Sequence, residues 1–366
     1  GCTEMKIFFR VDSSIKIGSG HLFRCLTLAT ELKKNGHCIS FICEEQEGYL
    51  GELIVKKGFH LYILPLSKEY SSKDCEIPES KYDDWISVSE IEDAFRTIEI
   101  IKGCEGNVDW MIVDHYALNA PWEKELSLYV DNIMVIDDLA DRNHECSILL
   151  NQNLHADLYY KDNNPPIKGC RHLLGLKYAM LDASYRNLRN EASLQRDKVK
   201  NILIYFGGAD QDNLTGRTLN TIVDLDRSDL TVNVVIPSSH VNSQDIEEIV
   251  SNHTNIYLHK GYVEMAPLIL EADLAIGAGG SSNWERCCLG LPSIIVAMSE
   301  NQLPIAKALQ KEGVVKFIED SSENYSMKLL NCLCEVFQMK TLKVWSKQCK
   351  KLVDGKGVQR VAKAIL

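Results

Sequence analysis

Apolar residues along the chain gather in short continuous runs, separated by longer stretches in which they recur every three or four positions. The runs at 6–11, 39–43, 60–64, 110–114 and 133–137 are the length of strands and are bounded by polar residues. Near-continuous apolar runs of this kind suit strands buried on both faces. Between them, residues 21–34, 47–57, 89–102 and 120–130 carry helical spacing. A polar break covers 188–200, and a second series follows it. Its strands are expected at 201–206, 231–236, 256–259, 274–277, 293–296 and 314–317, with helices at 212–224, 243–252, 263–271, 282–289 and 301–311. Residues 323–366 read as helical, interrupted near Gly355 and Gly357. Strand–helix alternation predicts parallel sheets with helices on both faces. The fold class is therefore α/β, with two Rossmann-like domains facing across a cleft. The expected division is 5–190, 200–340, and terminal helices at 341–366. The polar stretch 67–84 reads as a surface insertion.

Composition narrows the class. The 366 residues exceed what one core usually supports. Apolar residues make up 45% and charged residues 25%, with a formal net charge of −11. No basic block stands out, which argues against nucleic-acid and membrane-surface partners. The thirteen cysteines are scattered and include no Cys-x-x-Cys pair, so neither a zinc site nor a disulfide framework is expected. Reduced thiols in a cytoplasmic protein fit this usage. No apolar stretch reaches membrane-spanning length, and no signal peptide is visible. Gly1 to Glu4 read as an added leader and Met5 as the natural start.

The chemistry concentrates at strand ends. After the first strand comes Arg10-Val11-Asp12-Ser13-Ser14, then Gly18-Ser19-Gly20-His21 and Arg24. Gly18 and Gly20 let the backbone turn tightly beside a ligand, and the helix beginning there offers free N–H groups to a phosphate. His21 lies in that helix's first turn, where a base would stand beside the phosphate cradle. The spacing is not Gly-x-Gly-x-x-Gly, so no dinucleotide cofactor is implied. In the second series, Gly207 and Gly208 follow a strand, and Asp210, Asp212 and Asn213 offer helix caps. Gly277-Ala278-Gly279-Gly280-Ser281-Ser282 precedes another helix and makes a diphosphate cradle of N–H groups and hydroxyls without a cation. Glu285, one turn further in, is placed to accept from ribose hydroxyls. Asp224-Leu225-Asp226 falls at a helix end and reads as a solvated face, and no metal site is expected.

Together the amino-terminal motif, Asp114-His115-Tyr116, Asp137-Asp138, Asn151-Gln152-Asn153 and Gly279-Gly280-Ser281 with Trp284-Glu285 resemble the UDP-sugar hydrolase family of pseudaminic acid biosynthesis. That family cleaves UDP-2,4-diacetamido-2,4,6-trideoxy-β-L-altropyranose to UDP and free sugar, and is similar in fold to GT-B glycosyltransferases. The resemblance implies that the second domain holds the nucleotide and the first the sugar, and that the terminal helices at 341–366 pack back on the first domain. By resemblance His21 matches the catalytic base, Tyr116 a tyrosine near the sugar, and 277–285 the UDP cradle. Asp12 and Arg24 match motif positions; Asp12 is grouped with His21 and Tyr116 in the catalytic set, and Arg24 with the substrate-binding residues.

UDP is a good leaving group, so a general acid is less necessary and one base suffices. His21 is then expected to be kept neutral by the helix N-terminus and to activate water for attack at C1 with inversion. Tyr116, Asp12, Arg10 and Asn301-Gln302 are candidates for orienting the sugar's amides and hydroxyls. His115, adjacent to Tyr116 in an extended segment, is expected to point the other way. A GT-B transferase, a non-catalytic UDP-sugar binder and a UDP-sugar 2-epimerase stay open as alternatives.

Overall fold

The computed structural model describes residues 3–68, 81–162, 167–191, 197–208, 210–298, 300–319 and 323–366; the side chains of residues 161, 162 and 301 fall outside that description. Most of the expected insertion, 69–80, also lies outside it. The chain forms two compact units, 1–180 with 356–366, and 181–355.

The first unit runs β1 (Lys6–Val11), α1 (Gly20–Lys34), β2 (Cys38–Glu44), α2 (Gly51–Lys56), β3 (His60–Leu64), α3 (Glu90–Lys102), β4 (Trp110–Asp114), α4 (Ala120–Leu126), β5 (Asn132–Ile136), β6 (Ile148–Asn151), α5 (Ala156–Asp162) and β7 (Arg171–Leu174). All seven strands are parallel, in the order β3-β2-β1-β4-β5-β6-β7. Alternation along β1 divides the core. Ile7, Phe9 and Val11 pack with Leu22, Cys25, Leu26 and Ala29 of α1, whereas Phe8 packs with Ala94 and Ile98 of α3 and Trp122 of α4. β6 and β7, of four residues each, are absent from the expected strands.

The second unit runs α6 (Ala183–Leu188), β8 (Asn201–Tyr205), α7 (Leu214–Asp224), β9 (Thr231–Ile236), α8 (Ser243–Ser251), β10 (Ile256–Lys260), α9 (Met265–Glu271), β11 (Leu274–Ala278), α10 (Ser282–Cys288), β12 (Ser293–Val296), α11 (Leu303–Lys311), β13 (Val315–Ile318), α12 (Tyr325–Phe337) and α13 (Leu342–Leu352). Its six strands are again parallel, ordered β10-β9-β8-β11-β12-β13. α6 precedes the polar stretch yet belongs here: Arg189, just past its end, donates to the carbonyls of Cys288 and Val353 at 2.6 and 2.7 Å. The last helix, α14 (Gly357–Ile365), returns to the first unit, where Val358, Val361, Ala362 and Ile365 enter the α1 side of the core.

Each sheet has one place where neighbouring strands lead to helices on opposite faces: between β1 and β4 in the first, and between β8 and β11 in the second. Ligand sites of open α/β sheets lie beyond the carboxyl ends of the strands at such points. The candidate loops follow those four strands.

Candidate functional site

Beyond β1 and β4, Ser14 and Gly18 form an isolated antiparallel bridge, and Gly18 takes φ +82°, which glycine adopts without strain. This tight loop delivers Gly20 as the first residue of α1 and His21 directly after it. Ser19 gives the helix no side-chain cap. A Cβ added at Gly18 or Gly20 would meet nothing within 4 Å, so space lies open beside both.

His21 Nδ1 lies 2.7 Å from Asp114 Oδ1, at the end of β4. Burial alone would raise the Asp114 pKa; the Arg24 guanidinium and His21 outweigh it and hold the carboxyl below its ordinary value. An ionised carboxylate only accepts, so in the neutral form of His21 the proton sits on Nδ1 and Nε2 carries the lone pair. Among the described residues no hydrogen-bond partner occupies Nε2. Arg24, one helical turn on, binds both Asp114 and Asp138. Tyr116 Oη donates to Asp138 at 2.6 Å, and Asn153 Nδ2 donates to the same carboxylate at 2.9 Å. The imidazole of His21 meets the Tyr116 ring edge-on at 4.6 Å between centroids and that of Trp85 at 5.7 Å. Trp85 stacks on Tyr116 at 5.0 Å and 20°, and Arg142 covers the Tyr116 ring at 5.5 Å.

His115 is excluded as a rival base, because both its nitrogens are engaged. Nε2 meets Asp12 at 2.8 Å, and Nδ1 accepts from Ala117 N–H at 3.1 Å. Arg10 and Asp12 require correction as candidates for direct contact with a sugar. Arg10 is fully buried and donates to Asp12 at 2.7 Å and to Asp93 at 2.8 and 3.1 Å. Asp12 is 1% exposed and also accepts from the Glu44 N–H at 2.7 Å. A charge so enclosed is tolerable only when fully paired. These two residues hold the ends of β1 and β2 and the His115 ring in place. The sequence missed Trp85, Tyr82 and Arg142. Tyr82 and Trp85 belong to the end of the polar insertion or directly follow it, and Tyr82 packs on both Trp85 and Tyr116 at 5.0 Å. An aromatic pair closing an otherwise polar stretch was the available signal.

In the second unit, the backbone of β11 passes so close to β8 that a Cβ at Gly277 would stand 2.1 Å from the Tyr205 carbonyl oxygen. Gly279 and Gly280 follow, and α10 begins at Ser282 with no side-chain cap on its amides. The buried Arg286 fastens this loop from beneath, donating to the Ala278 carbonyl at 2.9 Å, Asn283 Oδ1 at 2.7 Å and Ser282 Oγ at 3.2 Å. Half-buried Glu285 accepts from Tyr185 Oη at 3.1 Å. Burial pushes its pKa up to about 7, only partly offset by that hydrogen bond and by Arg286. Gln302 Oε1 accepts from Met298 N–H at 2.9 Å, and its amide nitrogen faces Gly280. The Asn301 side chain lies outside the described residues. Gly207 takes φ +80°, and a Cβ at Gly207 or Gly208 would meet nothing within 4 Å. Asp210 caps α7, accepting from the N–H groups of Leu214 and Thr215 at 2.7 and 2.9 Å, while Asn213 accepts from Gly216 at 3.1 Å.

A family described as "Protein of unknown function (DUF354)" matches residues 188–344. The chain is 27% identical over 309 residues to the UDP-2,4-diacetamido-2,4,6-trideoxy-beta-L-altropyranose hydrolase of Campylobacter jejuni, covering 84% of this chain and 97% of that protein. The family resemblance holds. An uncharacterized protein of Methanocaldococcus jannaschii is 26% identical over 310 residues, 81% of this chain, and the match spans 57% of that longer protein. Among solved structures, MurG of Acinetobacter baumannii superposes with a TM-score of 0.67 at 15% identity, covering 99% of both chains. The spinosyn rhamnosyltransferase SpnG complexed with thymidine diphosphate gives 0.66 at 10%, covering 98% of this chain and all of that one. The fold is that of the GT-B glycosyltransferases.

Proposed function

We propose that this chain hydrolyses a UDP-sugar at its anomeric carbon, releasing UDP and the free sugar, with His21 as general base. The observation that carries the reading is the Asp114–His21 pair, which leaves Nε2 as an acceptor beyond the β1 and β4 ends. The named Campylobacter relative supports UDP-2,4-diacetamido-2,4,6-trideoxy-β-L-altropyranose as substrate, and with it a place in pseudaminic acid biosynthesis. In this reading the second unit holds UDP through the 277–285 loop and Glu285, and the first unit holds the sugar beside His21 and Tyr116.

A water bound to His21 Nε2 attacks C1 from the face opposite the diphosphate. The new C–O bond forms as the bond from C1 to the β-phosphate oxygen breaks, so the anomeric configuration inverts. The water proton passes to Nε2, and Asp114 accepts from Nδ1–H throughout. Charge developing on the diphosphate meets backbone N–H groups of the glycine loop, which is why no carboxylic acid is required. A positioned base of this kind contributes about 10²–10⁴-fold.

The GT-B likeness to named transferases keeps transfer as the second reading. One assay separates them. Incubation of the protein alone with the UDP-sugar in ¹⁸O water, followed by NMR and mass spectrometry, should give free sugar labelled at C1 with inverted anomeric configuration. Label in UDP would overturn attack at carbon. Absence of free sugar until an acceptor is added would establish transfer instead. His21→Ala should bind UDP and release no sugar; unchanged turnover would remove His21 from the mechanism.

A further inference from the structure

Arg24 follows His21 by one turn of α1, so both side chains leave the same face of the helix. Its guanidinium donates from Nε at 2.5 Å and Nη2 at 2.8 Å to the two oxygens of Asp114. From Nη1 at 2.9 Å and Nη2 at 2.8 Å it donates to the two oxygens of Asp138. The carboxylates come from the last residue of β4 and from two residues past the end of the adjacent parallel strand β5. Four N–H bonds from one planar group thereby fix two carboxylate planes relative to each other. The Arg24 side chain is 10% exposed and Asp114 is fully buried, so these bonds are shielded from water.

Each carboxylate then fixes one further group. Asp114 accepts from His21 Nδ1, and Asp138 accepts from Tyr116 Oη. We infer that Arg24 is a positioning residue that sets the tautomer of His21 through Asp114 and the direction of the Tyr116 hydroxyl through Asp138. The inference rests on the reading of His21 as the base. Because the Tyr116 proton is committed to Asp138, the phenol oxygen faces a ligand as an acceptor only. That suits a substrate presenting N–H or O–H donors, such as an acetamido group. One cation and two carboxylates leave the cluster one negative charge in excess. The proton that His21 takes from water brings the cluster to neutrality.

Lysine would preserve the charge but not the geometry, since an ammonium offers no planar fork to bind two carboxylates bidentately. This supplies the control. Arg24→Ala should lower kcat about 100-fold or more, with the dissociation constant for UDP within about threefold of wild type. Added guanidinium should restore at least tenfold of the loss in Arg24→Ala and nothing in His21→Ala. Long-range ¹H–¹⁵N spectra of histidine-labelled protein should show His21 as the Nδ1–H tautomer in the wild type and as a mixture in Arg24→Ala and Arg24→Lys. Should Arg24→Ala fail to fold, Arg24→Lys decides through the same spectra and kcat. Wild-type kcat in Arg24→Lys, or an unchanged His21 tautomer in either variant, would overturn the inference. The spectra need no substrate. A wild-type protein that turns over no UDP-sugar would therefore end the functional reading while leaving the positioning role separately decided.

Discussion

His21 and Asp114 are 93 residues apart in the chain and 2.7 Å apart in the structure. Their meeting follows from sheet order. β1 and β4 are neighbours with Val11 opposite Asp114, so the loop leaving β1 starts α1 directly over the end of β4. The pair supplies what a histidine base requires, a fixed proton on one nitrogen and a lone pair on the other.

Asp114→Asn keeps the shape of the side chain but removes the obligate acceptor. It is expected to lower kcat by about 10²–10⁴-fold, as the loss of an orienting carboxylate does in other histidine-based sites. UDP affinity, measured by calorimetry, should stay within a few-fold of wild type. A kcat within threefold of wild type would sever Asp114 from the mechanism.

Glu285 couples stability to pH in the second unit. Its folded-state pKa is raised by burial from 4.5 to about 7, so the folded protein holds this proton more tightly than the unfolded chain. Stability is therefore lost as pH rises from about 4.5 through 7. Glu285→Gln should match wild-type stability near pH 4 and exceed it by on the order of 2 kcal/mol at pH 8, read by urea denaturation. The same variant should bind UDP more weakly at pH 8 if the ionised carboxylate accepts from ribose hydroxyls. Equal stability at both pH values would show that Glu285 is not desolvated.

His144 carries the opposite dependence. Burial opposes its charge, but Asp137 at 3.3 Å and Glu123 at 2.8 Å outweigh it and push the pKa up to about 9. Glu123 is itself pushed upward by burial, whereas Asp137 is held down near 2, so the charged imidazolium is secured chiefly on the Asp137 side. This stabilisation is complete below about pH 6.5 and disappears as pH rises through 9. The melting temperature of the wild type should thus fall more steeply between pH 7 and 10 than that of His144→Gln. Parallel curves would contradict the assignment.

Gly277 admits no side chain, because a Cβ there would overlap the Tyr205 carbonyl oxygen, which belongs to rigid backbone. Gly277→Ala must push β11 from β8 and should cost about 1–3 kcal/mol or more. Loss of UDP binding should accompany the fall in melting temperature. A variant with wild-type stability would show that the two strands separate freely.

Much of the sheet architecture was written in local pattern. The runs at 6–11, 60–64, 110–114, 231–236 and 293–296 coincide with strands to the residue, at the buried centre of a sheet and at the more exposed edge strand β3 alike. Helix ends were less legible. The stretch 47–57 forms a helix only over Gly51–Lys56, and 120–130 only over Ala120–Leu126. Helical spacing continues through single turns such as Leu126–Val130, where the Tyr129 and Val130 N–H groups both donate to the Leu126 carbonyl and the helix goes no further.

Sequence also singled out His21 and the two glycine loops, because glycine and a titratable ring at a strand–helix junction are local chemical facts; Tyr116 entered through the family resemblance. It did not separate side chains that face a ligand from those enclosed beneath it. Arg10 and Arg24 are both arginines flanking one motif, yet Arg10 points into the interior to meet Asp93, whereas Arg24 joins Asp114 and Asp138 beside His21. Only tertiary structure decided this, for a physical reason. Each guanidinium goes where distant carboxylates satisfy its donors, and those partners are assigned by strand order, not by proximity in the chain.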